Sequence, residues 1–249
     1  LGNQIVWKEF LTNGSEDVKK RKETVLDTIA KYSVANSYKA AAYFEKGYHL
    51  EEAEQMILDE IIGVNQRQDC SDFHFTTILT TYFKHQDQMT DKVKAVIKDA
   101  ALHYRYWIDE PGDDVMWFFS ENHALLFHTC QYLAGLLFPD DLFTNSGKTG
   151  KEVSTRGREL LEEWFEEFFR EFITEWNSNA YIPVDVHGLA AIYNVTDKED
   201  KLHEMAKRAL DMVSYSLAVN AHKGAVMTSF GRTYEKEMKG NYNAGTTAL

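Results

Sequence analysis

Residues 152–176 read EVSTRGRELLEEWFEEFFREFITEW, and this stretch decides the fold class. Leu160, Leu161, Trp164, Phe165, Phe168, Phe169 and Phe172 recur at steps of one, three and four, the spacing that lines one face of an α-helix. Glu162, Glu163, Glu166, Glu167 and Glu171 fill the opposite face. An aromatic stripe at this period is core, and glutamates across from it form a solvated surface. The pattern predicts one long amphipathic helix over 152–176.

Moving outward, NSNAYIPVDVHGLAAIY follows with Tyr181, Pro183 and His187. Leu202, Met205, Ala209, Met212, Val213 and Leu217 then predict a helix over 201–219, with Gly224 as its stop. On the other side, DDLFTNSGKTG (140–150) reads as a loop whose glycines do not make a phosphate-binding Walker sequence. Before it, Ser120–Asp140, SENHALLFHTCQYLAGLLFPD, is an apolar helix stopped by Pro139. Ser120 is placed to cap it, and Glu121 suits the positive end of the helix dipole. The turn DEPGDD (109–114) carries four acids without calcium-loop spacing, and reads as solvated.

Thr90 opens an amphipathic segment with Val93, Val96, Ile97, Ala100, Ala101 and Tyr104. Ser71–Phe83 is rich enough in β-branched and aromatic residues to resemble a strand, although its length favours a helix. These two are expected to form an antiparallel helical pair. Leu50–Ile62 is a further helix, and Glu16–Phe44 is one long helix or two, ending near Gly47. Pro111, Pro139 and Pro183 all fall where a helical pattern stops or restarts. The expectation is an all-α chain of eight or nine helices, with successive hairpins closing into an incomplete α/α toroid as one domain over 1–249.

The 249 residues are 44% hydrophobic, enough for a sizeable core. Acids outnumber bases 39 to 27, giving a net charge of -12, which argues against a nucleic-acid partner. Cys70 and Cys130 stand alone, without the paired spacing of a zinc site or a disulfide framework, and Cys130 reads as a small buried side chain. No metal or cofactor is expected. His123, His128, Thr129 and Gln131 interrupt the best apolar run, so no membrane-spanning helix is expected. The opening LGNQIVWKEF lacks a signal pattern, and the chain is expected to be the front part of a longer protein.

Ser120, Glu121, Asn122 and His123 gather polar chemistry in one helical turn. SENHALLFHTCQYLAGLLFPD resembles the Asn-His helix of the α/α-toroid polysaccharide lyases, the group that includes heparinase II/III-like enzymes and some alginate lyases. In that group a long helix then leads to a catalytic tyrosine, and here Tyr181 stands 58 positions after His123. The resemblance covers about Trp117–Tyr193. It departs at Glu121, where a second Asn is common, and at Ile182, where a His is common. Family members usually add a C-terminal β domain with a further catalytic histidine, and the chain is expected to stop short of it.

The resemblance implies β-elimination of a uronic-acid-containing glycan. The proton beside a uronate carboxylate leaves only once the carboxylate charge is offset, a task for hydrogen bonds from Asn122 and His123. Tyr181 is implied as the acid and base of the elimination. Arg232, followed by Tyr234 on a glycine-containing turn, offers a bidentate partner for a carboxylate. Trp117 and His187 are candidates to line a sugar groove, with Glu121 beside them. The expected partner is an acidic polysaccharide, met after secretion or in a periplasm. Two rivals remain. A glycoside hydrolase would need two carboxylates about 5–10 Å apart, drawn from Glu121, Asp185 and the acids of 109–114. A non-catalytic helical scaffold or glycan-binding domain would need neither.

Overall fold

The computed structural model describes residues 18–223, 225–226, 228–235 and 245–247. The chain is mostly helical. The helices are α1 Val18–Tyr32, α2 Ser37–Lys46, α3 Leu50–Asn65, α4 Ser71–His85, α5 Asp91–His103, α6 Glu121–Leu137, α7 Gly150–Glu171, α8 Ile182–Val195 and α9 Lys201–Asn220. Two small antiparallel pairs accompany them, β1 Leu142–Phe143 with β2 Lys148–Thr149, and β3 Ala221–His222 with β4 Ala225–Val226. The first pair lies inside the predicted loop 140–150. Contacts divide the chain into two compact units, Glu23–Glu163 and a second made of Trp164–Leu249 with Leu1–Lys22.

Local chemistry sets the boundaries. Residues 16–44 break into two helices, and Asn36 starts the second by accepting a bond from the Lys39 N–H. Gly47 closes α2 in the left-handed region at φ 72°. The strand-like composition of 71–83 yields a helix because its threonines turn inward. Thr76, Thr77, Thr80 and Thr81 each donate to the carbonyl four residues back, which satisfies their hydroxyls without leaving the helix. Helix α7 stops at Glu171, short of the predicted Trp176, because Phe172 turns left-handed at φ 63°. Helix α9 ends at Asn220, and Gly224, the expected stop, lies outside the described residues.

In the first unit α6 is buried along almost its whole length, from Leu125 to Gly135. A helix apolar on every side belongs at the centre of its packing. Helix α4 packs on α6, α2 and α3, and α5 packs chiefly on α3. The expected α4–α5 hairpin is therefore only a minor contact. The reason is that α4 buries Phe75, Ile78 and Leu79 completely, whereas α5 offers the single stripe of Val93, Ile97, Ala100 and Ala101. In the second unit α8 packs on α9.

Helices α6 and α7 meet backbone to backbone. A Cβ on Gly157 would sit 2.6 Å from the Tyr132 nitrogen, and one on Gly135 would sit 2.4 Å from the Ser154 nitrogen. Backbone cannot give way there as a flexible side chain would. Gly157→Ala is therefore expected to destabilise the chain by about 1–3 kcal/mol despite the higher helix propensity of alanine. Urea denaturation followed by circular dichroism measures it, and an unchanged or raised midpoint would contradict the close approach.

Candidate functional site

The polar start of α6 is built by two helix N-termini in the first unit. Asp72, in the first turn of α4, is completely buried and accepts a 2.9 Å hydrogen bond from His123 Nδ1, in the first turn of α6. The His123 ring packs against Phe73 and Phe127 at centroid distances of 5.0 and 6.1 Å. Burial opposes the charged ring, but Asp72 and then Cys70 outweigh it and push its pKa up to about 9. Burial also raises Asp72, more than His123 lowers it. The imidazole N–H donates to Asp72 Oδ2, and the other carboxylate oxygen, Oδ1, is buried without a hydrogen-bond partner.

Around this pair α4 is anchored from several sides. Ser71 Oγ hydrogen bonds with Tyr104 Oη at 2.8 Å, and Thr76 Oγ1 with Cys130 Sγ at 3.1 Å. Cys130 is fully buried with its thiol pKa pushed up by burial, a core side chain as its sequence context indicated. Below the first turn, His74 pairs with Glu60 at 3.0 Å, and Glu60 also accepts the Ser37 N–H, tying α2 and α3 to α4.

Asn122 is fully buried and His123 nearly so. Ser120 is the N-cap of α6 but makes no capping bond, and its hydroxyl is buried without a hydrogen-bond partner. That corrects the capping expectation. Glu121 is half-buried in the first turn of the same helix. Trp117 is exposed, left-handed at φ 52°, and makes an edge contact with the exposed Phe119. His128 is a neutral core histidine, its ring tilted against Trp107 at a centroid distance of 4.2 Å, and burial pushes its pKa down to about 3.

The acids of 109–114 are not uniformly solvated. Asp114 pairs with Arg67 at 2.9 Å and with the buried Arg105 at 3.6 Å. Glu110 accepts bonds from the Tyr106 N–H and from Asn145, and burial raises its pKa. Asp114 and Glu110 thus strap the loop before α6. A cavity of about 320 Å³ beside this strap is lined by Arg67, His103, Tyr104 and Asp114. It includes none of the predicted site residues.

The second unit holds the other predicted residues. Tyr181 precedes α8, its hydroxyl hydrogen bonds with that of Tyr234, and the Arg232 guanidinium lies 3.9 Å over its ring. Arg232 pairs with Glu175 at 2.7 Å and donates to Tyr234 Oη at 3.4 Å. Burial, then the Tyr234 contact, raises the Tyr181 pKa, while Arg232 works to lower it. The turn that carries Arg232 is fixed because Gly231 donates its N–H to the Trp176 carbonyl at 2.8 Å, and a Cβ there would meet the Trp176 nitrogen at 2.9 Å. His187 is half-buried on α8, and Asp185, one turn into that helix, is fully buried.

Sequence reasoning missed Asp69, Cys70, Asp72 and Glu175. A Cys70 sulfur, an Asp69 carboxylate oxygen and a His123 ring nitrogen lie within 4.8 Å of one another, the sole grouping of this kind among the described residues. Asp72 is 51 positions from His123, so no local spacing announces the pair. Left-handed Cys70, at φ 63° before α4, is equally invisible in sequence. Among the described residues no helix is long and apolar enough to cross a membrane.

No protein-family model matches the chain, and searches of the curated proteins and of the solved structures find no match either.

The His74–Glu60 pair gives a pH signature. Glu60 is lowered from 4.5, so its contribution holds above that pH and is lost as pH falls further. His74 is raised from 6.5, so its contribution is complete below that pH and is lost as pH rises through its folded value. Denaturation midpoints across pH should show this contribution greatest between 4.5 and 6.5. Glu60→Gln is expected to remove it on both sides, and a variant with the wild-type pH dependence would exclude the assignment.

Proposed function

We propose that this chain is the helical part of a polysaccharide lyase that cleaves a uronic-acid-containing glycan by β-elimination. The observation that carries the reading is the cluster of Tyr181, Arg232 and Tyr234. The two tyrosines are 53 positions apart in sequence, and their hydroxyls meet under one guanidinium. Elimination needs a phenol that gives its proton to the leaving oxygen, and a cation close by to bind a carboxylate or steady a phenolate. The exposed aromatics Trp117, Phe119 and Trp176 fit a glycan partner, since ring faces stack on sugars. Helices packed as neighbours in sequence, α2 with α3 and α8 with α9, fit a toroid of hairpins.

In this mechanism the Tyr181 phenolate takes the proton from the carbon beside the carboxylate, and the electrons of that carbon–hydrogen bond form the double bond. The glycosidic carbon–oxygen bond then leaves with its electron pair, and that oxygen takes the proton of Tyr181. In the first unit Asn122 and the charged His123 carry hydrogen-bond donors of the kind that offset a uronate carboxylate. Both lie below the surface, so the reading requires the polar end of α6 to open toward substrate. The raised Tyr181 pKa keeps the phenol neutral, which suits the acid half and makes the phenolate base scarce at neutral pH. A secreted or periplasmic location and an acidic polysaccharide partner come with this reading. The hydrolase alternative loses ground because Asp114 and Glu110 are tied into the strap.

The test follows unsaturated uronate absorbance on a panel of uronate-containing polysaccharides. Turnover is expected to rise as pH increases above neutral, and Tyr181→Phe should lower it by about 10²- to 10⁴-fold. Arg232→Ala should move the alkaline limb to higher pH, because Arg232 lowers the Tyr181 pKa. Equal turnover in wild type and Tyr181→Phe would overturn the reading.

A further inference from the structure

We infer that Asp69, Cys70 and His123 form a zinc-binding site. A thiolate, an imidazole and a carboxylate are the three ligand types that zinc takes, and here one atom of each lies within 4.8 Å of the other two. Few other ions suit that mixture: calcium and magnesium prefer oxygen alone, and a thiolate favours a softer metal. Closure around a zinc needs only a small inward movement of the exposed Asp69 and half-buried Cys70, while His123 is held.

What holds His123 is the independent observation. Its Nδ1 is taken by Asp72 at 2.9 Å, which leaves Nε2 as the ligating nitrogen. Metal-bound histidines almost always give their second ring nitrogen to a carboxylate or carbonyl, which fixes the ring's orientation before the metal arrives. Asp72 is completely buried, and its Oδ1 has no hydrogen-bond partner. A fully buried carboxylate with half of its acceptors unused is costly in a fold that gains nothing else from it. Three protein ligands leave a fourth position open to water or to an anionic ligand, the arrangement of reactive zinc sites and not of closed structural ones.

The site stands apart from the lyase reading, because its test measures metal and not elimination. A zinc on His123 would carry the positive charge that the lyase reading gives to the ring itself.

The experiment uses the full chain, stripped with a chelator and titrated with zinc against a chromophoric competitor. One equivalent is expected to bind. Cobalt in place of zinc should give a near-ultraviolet thiolate-to-metal charge-transfer band. Cys70→Ser should abolish that band, and Asp69→Asn, at an exposed position, should weaken zinc binding with the fold intact by circular dichroism. Asp72→Asn should weaken it by about 10- to 100-fold. Absence of a bound equivalent in the wild type, or binding unchanged in the Cys70→Ser and Asp69→Asn variants, would overturn the site. Cys130, a buried thiol outside the grouped ligands, serves as the control: Cys130→Ala should leave the cobalt band in place.

Discussion

A carboxylate and an imidazole buried together between two helix starts set the geometry of the first unit. Asp72 and His123 are each costly to bury alone, and the 2.9 Å bond between them makes burial tolerable only in one register of α4 against α6. Removing one partner of such a pair costs about 3–5 kcal/mol, because the other is left buried and unmatched. The neighbouring contacts repeat that register: Ser71 meets Tyr104, Thr76 meets Cys130, and Phe73 lies along the His123 ring. Two N-termini thus arrive at one place, and Cys70 and Asp69, which end the connection into α4, arrive with them.

The second unit is organised by one cation. Arg232 binds Glu175, lies over Tyr181 and donates to Tyr234, so a single side chain gathers an acid and two phenols. Its position depends on Gly231, because the turn runs too close to Trp176 for any side chain there. The glycine-containing turn noted in sequence therefore has a steric cause. Elsewhere backbone proximity plays the same part, as where Gly135, Gly150 and Gly157 let α6 and α7 touch.

The helices themselves could be read from the chain because their information is local. The stripe of Leu160, Trp164, Phe165 and Phe168 repeats with the helix period, and Gly47, Pro139 and Pro183 punctuate the ends. Buried Cys130 also followed from its apolar surroundings. Where local signals competed, tertiary contacts chose. The threonines of α4 favoured a strand by composition, yet back-bonding and burial against α6 made them helical. Phe172 continued the aromatic stripe, yet the backbone turned left-handed there and ended α7.

By itself, then, the sequence determined an all-α chain, the approximate place of most helices, Ile182–Val195 excepted, and the polar turn of Ser120 to His123, since periodicity, caps and charge act over a few residues. It also supplied Tyr181, Arg232 and Tyr234 as separate candidates. Only the tertiary structure decided that those three share one cluster, that Asp72 grips His123, and that Cys70 and Asp69 stand beside that ring. Those contacts join residues up to 54 positions apart, as between Asp69 and His123, through the packing of helices. Packing depends on the volumes and buried polar groups of every neighbour at once, which no spacing along the chain records.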